Sequence, residues 1–148
     1  MAIQNDKDFR AALAALPITG QRQVAAQFVR QVLDLCGDVR VKASLAAAER
    51  ADISPAELVL VAQSAHSARV ESYTQCGRDT GWAPQAGHFV AKAAEACVRA
   101  APTGDNLAWD AAMQARLART CQTVAEGIGT ENNEAQAQYQ ILDTFRGT

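Results

Sequence analysis

Runs of one charge, long apolar runs and catalytic signatures are all missing from this 148-residue chain. The charges are 14 Lys and Arg against 16 Asp and Glu, with no three of one sign in a row. There is thus no basic stripe to neutralise phosphates, and nucleic acid is not an expected partner. No stretch approaches the roughly 18 consecutive apolar residues of a membrane span. The opening MAIQNDKDFR carries acids where a secretory leader has an apolar core, so a cytoplasmic protein without a membrane partner is expected. Walker, GxGxxG, GxSxG, HExxH and EF-hand patterns are absent. Their absence removes the common nucleotide, hydrolase, metalloprotease and calcium readings. Four cysteines with no CxxC spacing argue against a zinc knuckle or a thioredoxin-like motif. In a reducing compartment Cys36, Cys76, Cys97 and Cys121 are expected to be thiols.

What the chain has is alanine, 32 residues of it, and only four prolines. Helix is then the locally favoured state almost throughout. Asn5 or Asp6 can cap a first short helix whose Phe9, Leu13 and Leu16 share a face before Pro17 stops it. Thr19 is placed to cap a second, with Ala25, Phe28, Val29, Val32 and Cys36 on one stripe and Gly37 as its exit. A third, over residues 38–49, turns Val41, Leu45 and Ala48 inward. Ser54, Pro55 and Glu57 form a capping-box start for a long fourth helix ending at Gly77. Its Val59, Ala62, His66, Val70 and Tyr73 repeat at three and four and are predicted to be its buried stripe.

Pro84 is read as opening a fifth helix with Ala86, Phe89, Val90, Ala93, Cys97 and Ala100 inward. His88 shares its other side with Lys92, Glu95 and Arg99 and is expected to be exposed or half-exposed. Residues 102–105 break the chain. A sixth helix, about 106–126, is predicted to bury Trp109, Met113, Leu117, Cys121 and Val124. After a glycine-bearing turn at 127–130, a last helix over 131–145 is expected to bury Ala135, Tyr139, Leu142 and Phe145. No segment alternates with period two, so no sheet is expected. The prediction is one all-α domain over residues 1–148, an antiparallel helical bundle of about six to seven helices.

Both histidines lie in the hairpin of the fourth and fifth helices, each in a Gln-x-x-His motif, at Gln63–His66 and Gln85–His88. Di-iron bundles use Glu-x-x-His with further glutamates opposite. The amide is a poor ligand, and neither the second nor the sixth helix offers an inward Glu. A zinc site from His66, Cys76, His88 and Cys97 fails on register. With the turn near residue 80, His88 is level with Ser72 and His66 with Ala94. The imidazoles are then about six residues apart along the axis, roughly 9 Å, whereas two zinc-bound nitrogens must lie within about 4 Å of each other. Two pairs survive, His66 with Cys97 and His88 with Tyr73 or Cys76. No metal, cofactor or catalytic residue is therefore assigned. A Cys–His nucleophile pair from Cys97 and His66 would lack an orienting group and an oxyanion donor.

His66 reads as a core histidine satisfied by a hydrogen bond; the alternative is a ligand pocket lined by His66, Tyr73, Cys97 and Cys121 between the fourth, fifth and sixth helices. The loop carrying Arg78, Asp79 and Trp82, with His88 beside it, is a candidate partner contact, because Trp and Arg are enriched in binding hot spots.

The stretch VRQVLDLCGDVRVKASLAAAERADISPAEL, followed by Ala65-His66-Ser-Ala-Arg69 and Ala86-Gly87-His88, resembles the all-helical immunity proteins of bacteria over about residues 29–100. The resemblance implies a non-catalytic protein that acts by binding another, and no residue is carried over as functional. The leading expectation is protein–protein interaction, with a protein partner or a second copy of the chain bound through an Ala-rich face.

Overall fold

The computed structural model describes residues 2–78 and 81–147. It is all-α: seven α-helices and one 3-10 turn, with no strand among the described residues. The helices are α1 (Asp6–Ala14), α2 (Ile18–Arg30), α3 (Val39–Ala48), α4 (Pro55–Arg78), α5 (Trp82–Val98), α6 (Leu107–Ala125) and α7 (Glu134–Gly147). They pack as a bundle around α5, which touches α2, α3, α4 and α6. Five alanines of α5 are buried, together with Val90, Cys97 and Val98. An element that is apolar nearly all round belongs in the middle of a bundle.

Local chemistry sets most helix ends. Asn5 accepts from the Asp8 amide, and Asp38 from the Arg40 amide. Ser54 Oγ accepts from the Glu57 amide at 3.1 Å, and its hydroxyl donates to Glu57 Oε1 at 3.3 Å. At the end of α6, the Ile128 amide donates to Thr123 O and the Gly127 amide to Val124 O. That Schellman closure requires the left-handed φ of 78° that Gly127 adopts.

Several expectations need correction. Thr19 lies inside α2, whose cap position is Pro17, with no side-chain cap bond. The helix ends at Arg30, and residues 33–35 form the 3-10 turn, so Gly37 is not its exit. The fifth helix starts at Trp82 rather than Pro84. First-turn amides have no intrahelical acceptor, so a proline in that turn costs nothing.

The larger corrections concern facing. In α4 only Ala65 and Ala68 are fully buried, with Leu58, Val61 and Ala62 partly so, and the predicted stripe of Val59, His66, Val70 and Tyr73 is exposed. In α6 the buried residues are Leu107, Thr123 and five alanines, while Leu117 and Val124 are exposed. The reason is distance. Helix axes approach most closely where the facing side chains are small, and α4, α5 and α6 each present an alanine face to a neighbour. The larger aliphatic residues are left outside. The Ala-rich faces are therefore used inside the chain.

α1 closes one end. Phe9, with no exposed surface, meets Phe28 at 5.5 Å, Tyr139 at 5.2 Å and Trp109 at 6.1 Å between ring centroids. Arg116 lies over the Phe9 and Tyr139 rings, forks onto Asp6 at 2.9 and 3.0 Å and donates to Gln138 Oε1 at 2.8 Å. One guanidinium thus ties α1, α6 and α7 together.

Candidate functional site

α4 and α5 form the hairpin that carries both histidines. Its register is the one derived from the turn position: Ser72 Oγ lies 2.8 Å from His88 Nδ1, and Cys76 Sγ donates to Pro84 O at 3.1 Å. His88 is half-buried, with its ring 5.6 Å from that of Tyr73. Burial, helped by Lys92 and Arg69, holds its pKa below the ordinary imidazole value. His66 is not the hydrogen-bonded core histidine expected from sequence; the histidine with a serine partner is the half-buried His88.

His66 lies on the surface, its side chain 59% exposed, with Nδ1 2.9 Å from Glu95 Oε2. Arg69 Nε donates to both oxygens of the same carboxylate at 3.0 Å. His66 is on the rim of a shallow groove of about 660 Å³ formed by Pro55, Val59 and Ala62 of α4 with Val98 at the end of α5 and Ala100 just beyond it. Tyr73, Cys97 and Cys121 do not line it. The four-residue pocket inferred from sequence is therefore not assembled.

Cys97 is fully buried, donates to Ala93 O at 3.3 Å and has its pKa pushed up to about 12 by burial. That is an inert thiol. Its own carbonyl accepts from the buried Arg22 guanidinium at 2.9 Å. Cys121 is half-buried; burial, reinforced by the nearby Cys76, raises its pKa. Among the described residues no group of three or more His, Cys, Asp or Glu could hold a metal ion. No helix there is long and apolar enough to cross a membrane.

Of the expected partner contacts, Arg78 is the exposed last residue of α4, and Trp82 is exposed in the first turn of α5. Asp79 lies outside the described residues. His88 faces back onto Ser72 and Tyr73.

Sequence reasoning missed the outer face of α4. Val59 is 57% exposed, Leu60 66%, Val70 45% and Tyr73 69%. The helix has 24 residues and four with a formal charge, Glu57, Arg69, Glu71 and Arg78. Three of these are turned aside. Glu57 accepts from Arg50 Nη1 at 2.8 Å, Glu71 from Arg40 Nη2 at 2.7 Å, and Arg69 is held on Glu95. Arg40 and Arg50 come from α3 and the turn after it, so the pairs lie on the flanks. Besides these flanking charges, what faces water includes Ala56, Val59, Leu60, Gln63, His66, Ser67, Val70, Tyr73, Thr74 and Gln75, with Arg78 at the end. Such a face is unusual, because solvated helix surfaces are normally laced with mixed charges. The positions of the charged residues along α4 were the available signal: before Arg78 at its end, none lies on the Val59–Val70 side of the helix.

No protein family, curated protein or solved structure matches this chain.

Proposed function

We propose that the protein is a non-catalytic binding module that recognises a protein partner through the outer face of α4. One observation carries this reading. A long surface helix holds three of its four formal charges in flanking ion pairs and, ahead of Arg78 at its end, leaves mainly aliphatic and uncharged polar side chains to water. Contiguous faces of that composition mark interaction sites, and charge depletion at the centre is what distinguishes interface cores from ordinary surface. The groove beside Val59 and His66 gives the face a concavity into which one apolar side chain of a partner can insert. Arg78 extends the same face at its C-terminal end. The immunity- or regulator-like role implied by the family resemblance would be served by such a face.

A second reading rests on the groove alone: its mostly apolar walls suit a small apolar molecule, with His66 orienting it. Ala62→Trp fills that groove without adding charge. Loss of a small ligand in this variant, with protein binding retained, would favour the second reading.

The test is capture from the cells that make the protein, comparing the wild type with Val59→Glu. The residue is more than half exposed, so stability should change by less than about 0.5 kcal/mol. Proteins bound by the wild type should be lost from the variant. An identical set bound to both would remove α4 from consideration.

A further inference from the structure

The polarity of the α4 face is symmetric about its own middle. Val59 and Leu60 stand on one side and Val70 and Tyr73 on the other, with Gln63, His66 and Ser67 between. The charge at its two ends is opposite. Just before and at the start of the helix Asp52, its side chain 82% exposed, and Glu57 share the single cation Arg50 at 3.3 and 2.8 Å, which leaves that end net negative, and Arg78 ends the helix. A surface that is palindromic in polarity and antisymmetric in charge is complementary to itself after a half-turn, which is what a twofold interface requires.

We propose that the occupant of this face is a second copy of the chain, with α4 packed antiparallel on α4 of its partner about a twofold axis near residues 65 and 66. This rests on the reading of α4 as an interaction surface and names the partner. In that register Leu60 of one copy is level with Val70 of the other, Val59 lies near the facing Tyr73, and Gln63 meets the facing Ser67. Arg78 comes level with the facing Asp52. Antiparallel pairing also sets each helix C-terminus beside an N-terminus, where the backbone dipoles attract. Parallel pairing would stack Arg78 on Arg78 and align the dipoles unfavourably. Glu57 and Glu71 lie at the edge, Glu71 beside Leu60, and each is held on an arginine, so a charge that the pairing covers there keeps its counter-ion.

Size sets the strength. A 24-residue helix is roughly 36 Å long and about 10 Å wide, so one helix pair covers well under the roughly 800 Å² per partner of a standard interface. A reversible dimer is expected, not an obligate one.

The test is sedimentation velocity on the purified full chain between about 1 μM and about 1 mM, the span of weak association. The wild type should shift from monomer to dimer. Val70→Glu buries an unpaired charge in the interface and should weaken association by about 100-fold or more. Leu60→Lys combined with Val70→Glu sets each lysine against a facing glutamate in the antiparallel register only, and should restore most of the dimer. Equal thermal melts for the three proteins confirm that the fold is unchanged. A wild type that stays monomeric at every concentration overturns the proposal, as does a Val70→Glu variant that dimerises normally. Failure of the double variant to recover overturns the antiparallel register. If the wild type is monomeric while Val59→Glu still loses a captured protein, the dimer falls and the α4 binding face stands. If capture is also unaffected, both fall.

Discussion

Exchanging the usual ranks of alanine and leucine in α6 gives the sharpest check on how the bundle is packed. Ala115 is completely buried, whereas Leu117, two residues on, is 44% exposed. Ordinary pattern logic makes the leucine the core residue and the alanine the bystander. The structure reverses this. Leu117→Ala removes side chain already partly in water and opens no enclosed cavity. Full burial of a leucine is worth roughly 1.5–3 kcal/mol, so about half of the lower figure, near 1 kcal/mol, is the expected loss; alanine's slightly better helix propensity offsets a little more. Ala115→Leu forces three extra carbons into a closed helix contact. Overpacking of that kind costs about 1–3 kcal/mol, and little relief is available where whole helices would have to separate. At roughly 2–4 °C per kcal/mol for a chain of this size, the leucine variant should melt about 2–12 °C below the wild type, and the alanine variant within about 4 °C of it. Urea unfolding at equilibrium, with the m-value checked for constancy, measures both. A loss of about 3 kcal/mol from Leu117→Ala, or none from Ala115→Leu, would refute the packing described here.

Arg116→Ala should destabilise by about 2–4 kcal/mol, chiefly by leaving the buried Gln138 oxygen unpaired, with smaller losses from the half-exposed Asp6 pair and the ring contacts. The Arg116 hydrogen bond holds the Asp6 carboxyl below its ordinary pKa, with Tyr139 assisting against the opposing effect of burial. The stabilisation from Asp6 is therefore present above the unfolded carboxylate pKa and lost as pH falls through the depressed folded value. Arg116→Ala should flatten the acid limb of the stability profile below about pH 4; an unchanged slope there would count against the latch. Cys97, buried and with its pKa raised, should react with a thiol reagent only at the global unfolding rate, and modification in the native protein faster than that would contradict its placement. Ser54→Ala should cost about 1 kcal/mol by removing the Glu57 amide's acceptor, read from the urea midpoint.

What the sequence made legible was whatever local chemistry decides. The Ser54–Glu57 capping box, the Asn5 and Asp38 regions as starting points and the glycine turn after α6 needed only neighbours in the chain. The hairpin register needed one further fact, the position of the turn, and it placed Ser72 opposite His88 correctly. Facing was not legible in the alanine-rich helices. α4 carries two stripes at helical spacing, Leu58–Val61–Ala65–Ala68 and Val59–His66–Val70–Tyr73, and residue size favours the second. Packing against α3 and α5 selects the first, since small residues allow the closest approach of axes. The same error put Leu117 and Val124 inside α6. His66 went with its stripe, so the pocket built on it did not survive, while His88, judged from its charged neighbours Lys92, Glu95 and Arg99, was placed correctly. Charged residues with fixed partners were the better guide to orientation in this chain.

The α4 dimer proposed above places Val59, Leu60, Val70 and Tyr73 in an interface that fills only as the concentration of the chain rises. Methyl and aromatic NMR spectra of the wild-type protein, recorded across a dilution series, test it directly. Chemical shifts of Val59, Leu60, Val70 and Tyr73 should move with concentration, while those of Leu117 and Val124, also exposed but on α6, should not. Shifts at α4 that stay constant throughout the series, or changes centred on α6 instead, would contradict the pairing of α4 with α4.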